Sequence, residues 1–343
     1  MKTKIVYVVA SLGDDVFMEQ AFVSAWSARH YNSSCQIEMV CDQDTEKTLS
    51  EGVRKEYKSL FNKIIKVNLD DEYSMVERSR MMKTNLRELI EGDFIYFDTD
   101  TVICGDLSYI DQYDLDIGLV YDNNCSFDKY IIRPNVINKM QKIFGCDVSK
   151  ETEYFNSGVV YCKDSLLAHE FYAKWHENWL FSRSVFKEFK DQPPLMKANI
   201  DMGHIVTELT GRLNCQVVAS IQYLHEAEVL HFYNNFLGKS TSIHPFMDVE
   251  FYKQVKKEGL TDDITMMILR CKNLFTSPSM PVPLEGAQLW RENLSSSIDK
   301  RIKVSNFYHL LYSLWYRIPM FMRVMDIIIG VPIRALRWVK NIF

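Results

Sequence analysis

Apolar residues occur in short runs along the first two thirds of the chain, and these runs alternate with segments of helical periodicity. Residues 4–10, 35–42, 62–69, 93–98, 116–121 and 157–162 are predicted strands, and residues 18–31, 74–92 and 164–182 are predicted helices. Gly92 is expected to end the second helix as a C-cap. Apolar strands that alternate with helices predict an α/β fold with a mostly parallel sheet flanked by helices.

The pattern changes after about residue 245. Residues 244–259 and 262–275 have helical patterns, residues 276–286 form a proline-rich connector, and a basic, aromatic-rich helical tail follows. We therefore predict two domains, an α/β domain at 1–245 and a helical region at 246–343.

Composition favours a packed protein, because 47% of the residues are hydrophobic and 13% are aromatic. The eight cysteines form no CxxC pair, which disfavours a zinc ribbon and indicates a reducing compartment. The N-terminal apolar run of about six residues is shorter than a signal-peptide core, and no stretch of ~20 apolar residues predicts a transmembrane helix. We expect a cytoplasmic protein and no nucleic-acid partner.

Charge is distributed unevenly around the net value of −5. Residues 300–343 carry eight basic residues and one acidic residue, whereas the preceding chain carries 32 basic and 44 acidic residues. Pro319 and Pro332 would divide this tail into short helices. A basic, amphipathic tail predicts peripheral contact with the inner face of a membrane, and a helical cap packed on the domain is the alternative.

The stretch DFIYFDTDTVICGDL at 93–107 contains the most informative chemistry of the chain. Here a buried strand ends in two carboxylates, Asp98 and Asp100, that repel each other unless something lies between them. A divalent cation such as Mn²⁺ or Mg²⁺ would cancel the repulsion and bind a diphosphate. In α/β sheets, ligands bind beyond the carboxyl ends of strands, which is where this pair is expected.

The same letters also match the strand-DxDxT pattern of haloacid-dehalogenase-type phosphatases, in which Asp98 would be the nucleophile. That family begins its core at this strand, but here nearly 100 residues precede it. No acidic pair after a later strand completes the magnesium site that such an enzyme needs. A second alternative is a carbohydrate-binding protein without catalytic activity.

Further motifs follow in order: basic residues on the helix before DxD, then FNSGV at 155–159, DQ at 191–192 and LHF at 230–232. Together, over about residues 1–245, the series resembles the family 8 retaining glycosyltransferases, which include glycogenin and the lipopolysaccharide galactosyltransferases. The resemblance implies a GT-A fold with a C-terminal helical extension. It also implies transfer of a hexose from a nucleotide diphosphate sugar, such as a UDP-sugar, with retention. The acceptor would be a saccharide or a lipid-linked acceptor, in bacterial-type surface polysaccharide or lipopolysaccharide synthesis.

The resemblance assigns residues to this site. The implied Mn²⁺ or Mg²⁺ ligands are Asp98, Asp100 and His231. Asp191, Gln192 and Asn156 are the implied catalytic residues, with Asp191 also a candidate N-cap of the following helix. The implied donor-binding residues are Ala10, Ser11, Asp15, Arg80, Lys83, Asp98, Thr99, Asp100, Asn156, Ser157, Asp191, Gln192 and Lys239. Asp191 and Gln192 are the nucleophile candidates for a covalent intermediate, and an amide is a poor nucleophile. We favour attack on the same face of the sugar, guided by the leaving phosphate.

Overall fold

A mixed seven-stranded sheet lies at the centre of the computed structural model, which describes residues 1–130, 132–233 and 244–275. Its strand order is β3–β2–β1–β4–β7–β6–β8. The strands are β1 Lys4–Val9, β2 Ile37–Asp42, β3 Lys63–Val67, β4 Phe94–Phe97, β6 Ile117–Tyr121, β7 Phe155–Cys162 and β8 Val206–Glu208. Strands β1–β4 are parallel, β7 is antiparallel to its neighbours β4 and β6, and β8 is parallel to β6. The predicted α/β class with a mostly parallel mixed sheet is confirmed.

Helices cover both faces of this sheet. They are α1 Phe17–Tyr31, α2 Gln43–Thr48, α3 Gly52–Tyr57, α4 Met75–Thr84, α5 Leu86–Leu89, α6 Arg133–Phe144, α7 Leu166–Phe186 and α8 Gln192–Asp201. Successive residues of β1 enter opposite cores: Tyr7 packs in the cluster beneath α1, and Val6 and Val8 pack in the cluster beneath α4 and α7. A strand buried on both faces reads as a continuous apolar run, which is why its sequence does not alternate.

The predicted helix at 74–92 is wrong in its extent. Asn85, with φ −107° and ψ 13°, separates α4 from α5, and α5 ends at Leu89. Gly92 has φ +74° but lies in the turn before β4, three residues after the helix. The buried Arg87 side chain donates to the carbonyls of Ile90 and Gly92, so a side chain satisfies this turn in place of a glycine C-cap.

A second, three-stranded sheet joins the turn after β4 to a late segment of the chain. Its order is β5–β10–β9, formed by Thr101–Ile103, Val229–His231 and Cys215–Gln216. The predicted C-terminal helices are present as α9 Val249–Glu258 and α10 Asp262–Leu269, and they share an apolar cluster with this sheet and α1. The domain boundary at residue 245 stays a prediction. The predicted connector at 276–286 and the basic tail at 300–343 lie outside the described residues.

Candidate metal and diphosphate site

The two acidic residues occupy a tight turn between the two sheets. Strand β4 ends at Phe97, one residue earlier than predicted, and β5 begins at Thr101. The Asp98 amide donates to the Gly158 carbonyl at 2.7 Å, and the Thr101 hydroxyl donates to the Asp98 carbonyl at 2.8 Å. These bonds fix the turn from both sides. Both aspartate side chains are about one-quarter exposed, so they can reach a ligand.

Strand β10 brings His231 to this turn from more than 100 residues away in the sequence. In the antiparallel β10–β5 pair His231 lies opposite Thr101, and the Phe232 amide donates to the Asp100 carbonyl at 2.9 Å. The His231 Nε2 atom lies 3.2 Å from Asp100 Oδ1. One ligand atom each from Asp98, Asp100 and His231 lies within 4.8 Å of the others.

The donor set fits a divalent cation. His231 is buried, and its Nε2 atom has no hydrogen-bond partner among the described residues, whereas Nδ1 lies 2.9 Å from Asn214 Oδ1. An imidazole that donates from Nδ1 leaves a free electron pair on Nε2, the usual arrangement of a metal-bound histidine. One imidazole with two carboxylates suits manganese. The sequence-predicted ligands are therefore brought together with the chemistry that a cation requires.

Charges around the turn favour its ionised form. Burial opposes ionisation of Asp98, but Lys83, Arg80 and His231 hold the pKa of its carboxyl below the ordinary value. Burial likewise opposes protonation of His231, yet the neighbouring Asp100 raises the pKa of the imidazole. The carboxylates of this turn therefore favour a positive charge beside them.

Helix α4 supplies two cations to the other side of the site. A capping box of Ser74 and Glu77 begins the helix, and Arg80 and Lys83 lie three positions apart, on one face. The fully buried Lys83 ammonium lies 3.0 Å from Asp98 and 2.9 Å from Asp191. The Arg80 side chain is about 30% exposed, with Nε 3.4 Å from Asp191. Both predicted basic residues face the site, and Arg80 remains accessible to an anion.

Asp191 stands at the start of α8 but does not cap it. Its backbone is helical, with φ −88° and ψ −22°, and its side chain makes no capping bond. The carboxylate instead accepts from Ser157 at 2.9 Å and faces Lys83 and Arg80. Burial opposes its ionisation, but these two cations hold the pKa of Asp191 well below its usual range. Asp191 thus occupies the predicted N-cap position without a capping bond, because Lys83 and Arg80 attract its carboxylate more strongly than the helix N-terminus does.

Gln192 and Asn156 lie beside Asp191 and the acidic turn. Gln192 Nε2 donates to the Phe155 carbonyl at 3.2 Å, which fixes its amide at the first turn of α8. Asn156 is buried, and its Oδ1 accepts from Asn214 and from the Gly158 amide, both at 2.9 Å. Its Nδ2 donates to Asp122 at 2.8 Å. The Asn156 amide is thus engaged within the protein.

Solved structures resemble this arrangement of strands and helices, although no protein-family model matches the sequence and no curated protein matches it. The galactosyltransferase LgtC, solved with donor and acceptor sugar analogues, is 14% identical over 76% of this chain and 97% of its own, with a TM-score of 0.50. An active-site mutant of LgtC is 15% identical over 79% of this chain and 100% of its own, also at 0.50. Mouse xyloside xylosyltransferase 1 is 11% identical over 67% of this chain and 97% of its own, at 0.44.

The chain has the GT-A glycosyltransferase fold. In this GT-A domain the acidic turn, α4 and the start of α8 meet beside the carboxyl end of β4. Phosphatase chemistry at Asp98 would require a later acidic pair. Among the described residues, the third ligand that joins Asp98 and Asp100 at this turn is His231, in place of a later acidic pair.

The remaining predicted donor-binding residues lie at the end of β1 and in the turn. Ser11 is fully buried: its amide donates to Thr45 at 2.7 Å, and its hydroxyl donates to Asp15 at 2.5 Å. Asp15 also accepts from the Leu12 amide at 2.6 Å, so it orders this loop. Ala10 is buried, and Thr99 donates to Gln20 at 3.3 Å. Lys239 lies outside the described residues.

Four residues of the site were not predicted. Tyr96 donates its hydroxyl to Asp98, Gly158 packs beneath His231, and Asn214 and Asp122 bond to the predicted residues. Tyr96 could have been found, because it lies two residues before Asp98 and so on the same side of the strand. Asn214 and Asp122 carry no comparable local signal.

Among the described residues, no helix is both long and apolar enough to cross a membrane.

Proposed function

We propose that this protein is a metal-dependent glycosyltransferase that moves a hexose from a nucleotide diphosphate sugar, such as a UDP-sugar, with retention. One observation carries the proposal. The Nε2 atom of His231, which makes no hydrogen bond among the described residues, lies within 4.8 Å of carboxylate oxygens of Asp98 and Asp100, and Lys83 and Arg80 lie next to Asp98 and Asp191. A cation site beside exposed positive charge is suited to a diphosphate, which needs both.

Asp98, Asp100 and His231 would hold Mn²⁺ or Mg²⁺. When bound, the cation would neutralise the charge that develops on the departing diphosphate. Arg80 offers a planar guanidinium with accessible donors, which matches phosphate oxygens. Lys83, fully buried between Asp98 and Asp191, keeps both carboxylates ionised and oriented.

Asp191 and Gln192 would face the transferred sugar. Two cations and Ser157 already hold the Asp191 carboxylate, so its low pKa makes it a weak base and a weak nucleophile. It is better suited to accept a hydrogen bond from a sugar hydroxyl. Gln192 is an amide, which is a poor nucleophile as well. These properties support same-face attack by the acceptor, and hence retention without a covalent intermediate.

The acceptor would be a saccharide or a lipid-linked saccharide in surface polysaccharide synthesis. This part of the proposal rests on the family resemblance and on the net positive charge of residues 300–343. That tail would contact an anionic membrane surface peripherally, which would bring a lipid-linked acceptor to the catalytic domain. Similar folds host many specificities, so the sugar is left open.

Nucleotide release from UDP-sugars and GDP-sugars, with Mn²⁺, with Mg²⁺ and with chelator, tests the proposal. We expect turnover that requires the metal and falls roughly 10²–10³-fold in Asp98→Asn and in Asp100→Asn, the range for removing a preorganised electrostatic group. Asp114→Asn is the matched control, because its side chain is 99% exposed at the opposite end of the sheet. Undiminished turnover in both site variants, or an inverted product anomer by NMR, would contradict the proposal.

A further inference from the structure

A chain of buried hydrogen bonds runs from His231 away from the acidic turn. His231 Nδ1 bonds Asn214 Oδ1 at 2.9 Å, and Asn214 Nδ2 donates to Asn156 Oδ1 at 2.9 Å. Asn156 Nδ2 then donates to Asp122 Oδ1 at 2.8 Å. All four side chains are buried, and Asn214 is fully so. We call Asp122, Asn156 and Asn214 the amide relay.

The hydrogen bonds of the relay all run in one direction, with each amide donating toward the Asp122 carboxylate. An ionised carboxylate only accepts hydrogen bonds, so Asn156 must turn its NH₂ group toward Asp122 and its oxygen toward Asn214. Asn214 must then turn its own NH₂ group toward Asn156 and its oxygen toward His231. An oxygen at that position requires a proton on His231 Nδ1. The tautomer of the imidazole is thereby determined by the Asp122 carboxylate together with the Gly158 amide, which also donates to Asn156 Oδ1.

Tyr130 holds the Asp122 carboxylate in place at the end of the relay. Its hydroxyl donates to the second oxygen of Asp122. Burial and the Asp122 carboxylate together raise the pKa of Tyr130, so the phenol keeps the proton that it donates. Both oxygens of Asp122 are then committed as acceptors, one to Tyr130 and one to Asn156.

The backbone around Asp122 is built to hold this arrangement. Asn123 and Asn124 both adopt left-handed conformations, with φ 56° and φ 53°, which few non-glycine residues do. The Gln216 side-chain oxygen accepts from the Asn123 backbone N–H at 2.8 Å. The Gln216 backbone N–H donates to Asn124 Oδ1 at 3.0 Å. Asn124 Nδ2 donates to the Asn214 carbonyl at 2.9 Å, so the segment that carries Asp122 is bonded to Asn214.

We propose that Asp122, Asn156 and Asn214 are positioning residues that hold the His231 proton on Nδ1 and so direct the free electron pair of Nε2 toward Asp98 and Asp100. The proposal rests on the proposed function, because it assumes that this pair receives a cation. It gives Asn156 a role within the protein, since its oxygen already has two donors and its NH₂ group already has the Asp122 acceptor.

The proposal is tested by binding of Mn²⁺ alone, without any activity measurement. Binding is monitored by electron paramagnetic resonance as the loss of the signal of free Mn²⁺. Asn214→Leu removes the acceptor for Nδ1, and we expect affinity for Mn²⁺ to fall roughly 10- to 100-fold, as for other outer-shell partners of metal ligands. Asn199→Leu is the matched control. Asn199 is also buried, but it bonds Glu153 and the Val206 amide instead of site residues, so we expect unchanged affinity.

Asn214→Asp separates the directing role from simple packing, and it serves where the leucine variant fails to fold. The new carboxylate still accepts from Nδ1 but places a second acceptor against Asn156 Oδ1. We expect Mn²⁺ affinity between those of the wild type and Asn214→Leu. Affinity as low as that of the leucine variant, or wild-type affinity in Asn214→Leu, would overturn the proposal.

Asp122→Asn tests whether the signal passes along the relay. The single oxygen of the new amide cannot accept from both Tyr130 and Asn156, so one end of the relay loses an acceptor, and we expect Mn²⁺ affinity to fall. In the Asn214→Leu background the same substitution should have no further effect, because residues that act through one another are not additive. Full additivity would overturn the proposal.

The two proposals fail separately. The protein could bind Mn²⁺ through Asp100, lose affinity in Asn214→Leu, and yet release nucleotide from no sugar nucleotide. That outcome would support the relay and contradict the transferase function. Metal-dependent sugar transfer with the same Mn²⁺ affinity in the wild type, Asn214→Leu and Asp122→Asn would support the transferase function and contradict the relay. A wild-type protein that binds no Mn²⁺ at all overturns the relay as well.

Discussion

Gly158 contacts both His231 and Asp98 of the candidate metal site. A Cβ atom there would lie 2.3 Å from His231 Cε1 and 2.9 Å from Asp98 Oδ2. Its carbonyl also accepts the Asp98 amide. Only glycine lets the β7 backbone approach the imidazole and the carboxylate this closely, which explains the glycine of the FNSGV motif by packing.

We expect Gly158→Ala to displace His231 and to weaken Mn²⁺ binding roughly 10- to 100-fold. The free energy of unfolding should fall by about 1–3 kcal/mol, the usual cost of an overpacked core. Mn²⁺ titration and urea unfolding measure the two effects. Gly13→Ala is the control, since no atom lies within 4 Å of its added Cβ. Normal Mn²⁺ affinity in Gly158→Ala would contradict the close approach of β7 to His231.

At the scale of elements, the segment 244–275 is anchored beside the site by His244. The ring is fully buried and stacks on Phe232, the residue after His231, with centroids 4.5 Å apart. Its Nε2–H donates to the Cys271 carbonyl at 2.7 Å, and its Nδ1 accepts from the Phe246 amide at 3.2 Å. Both ring nitrogens are used by the neutral form, and burial lowers the pKa of His244 to about 4.

Stability should therefore depend on pH through His244. The unfolded chain binds a proton below about pH 6.5, whereas folded His244 resists protonation until about pH 4. Stability contributed by the neutral ring is complete above pH 6.5 and is lost as the pH falls toward 4, by about 3 kcal/mol in total. Urea unfolding across this range measures it.

His244→Asn should remove that part of the pH dependence, and His225→Gln, at an exposed position, should keep it. Equal slopes in the two variants would show that another group is responsible.

At the scale of the whole molecule, the acidic turn, α4 and β10 come from three separate segments of the chain, which meet only in the folded protein. A ligand that binds them together binds the folded protein far better than the unfolded chain. Such a ligand raises the free energy of unfolding by mass action, about 2.7 kcal/mol at 100 times its dissociation constant.

We expect Mn²⁺ with UDP to raise the urea midpoint of the wild-type protein, and chelator to reverse the increase. Asp100→Asn should lose most of this stabilisation, because one carboxylate ligand is gone. Asp114→Asn should retain it. Stabilisation of Asp100→Asn equal to that of the wild type would place the bound ion elsewhere in the molecule.

Local sequence was sufficient for several parts of the fold and the site. Strands such as β1 and β4 were predicted because their apolar runs are long and bounded by polar residues. Asp98 and Asp100 were predicted because two adjacent like charges after a buried strand need a partner. The strand ends carried small errors, and α4 and α5 were predicted as one helix, since the break at Asn85 depends on how Arg87 satisfies the following turn.

The sequence by itself determined the α/β alternation, the acidic turn and the basic face of α4, because each depends on the spacing of neighbouring residues. Only the tertiary structure decided that Asp191 turns away from its helix toward Lys83, that Asn214 reaches His231, and that Asp122 reaches Asn156. Those contacts join residues 17 to 108 positions apart. Hydrogen-bond direction and charge pairing over such separations depend on how strands β4, β7 and β10 meet, which local spacing does not encode.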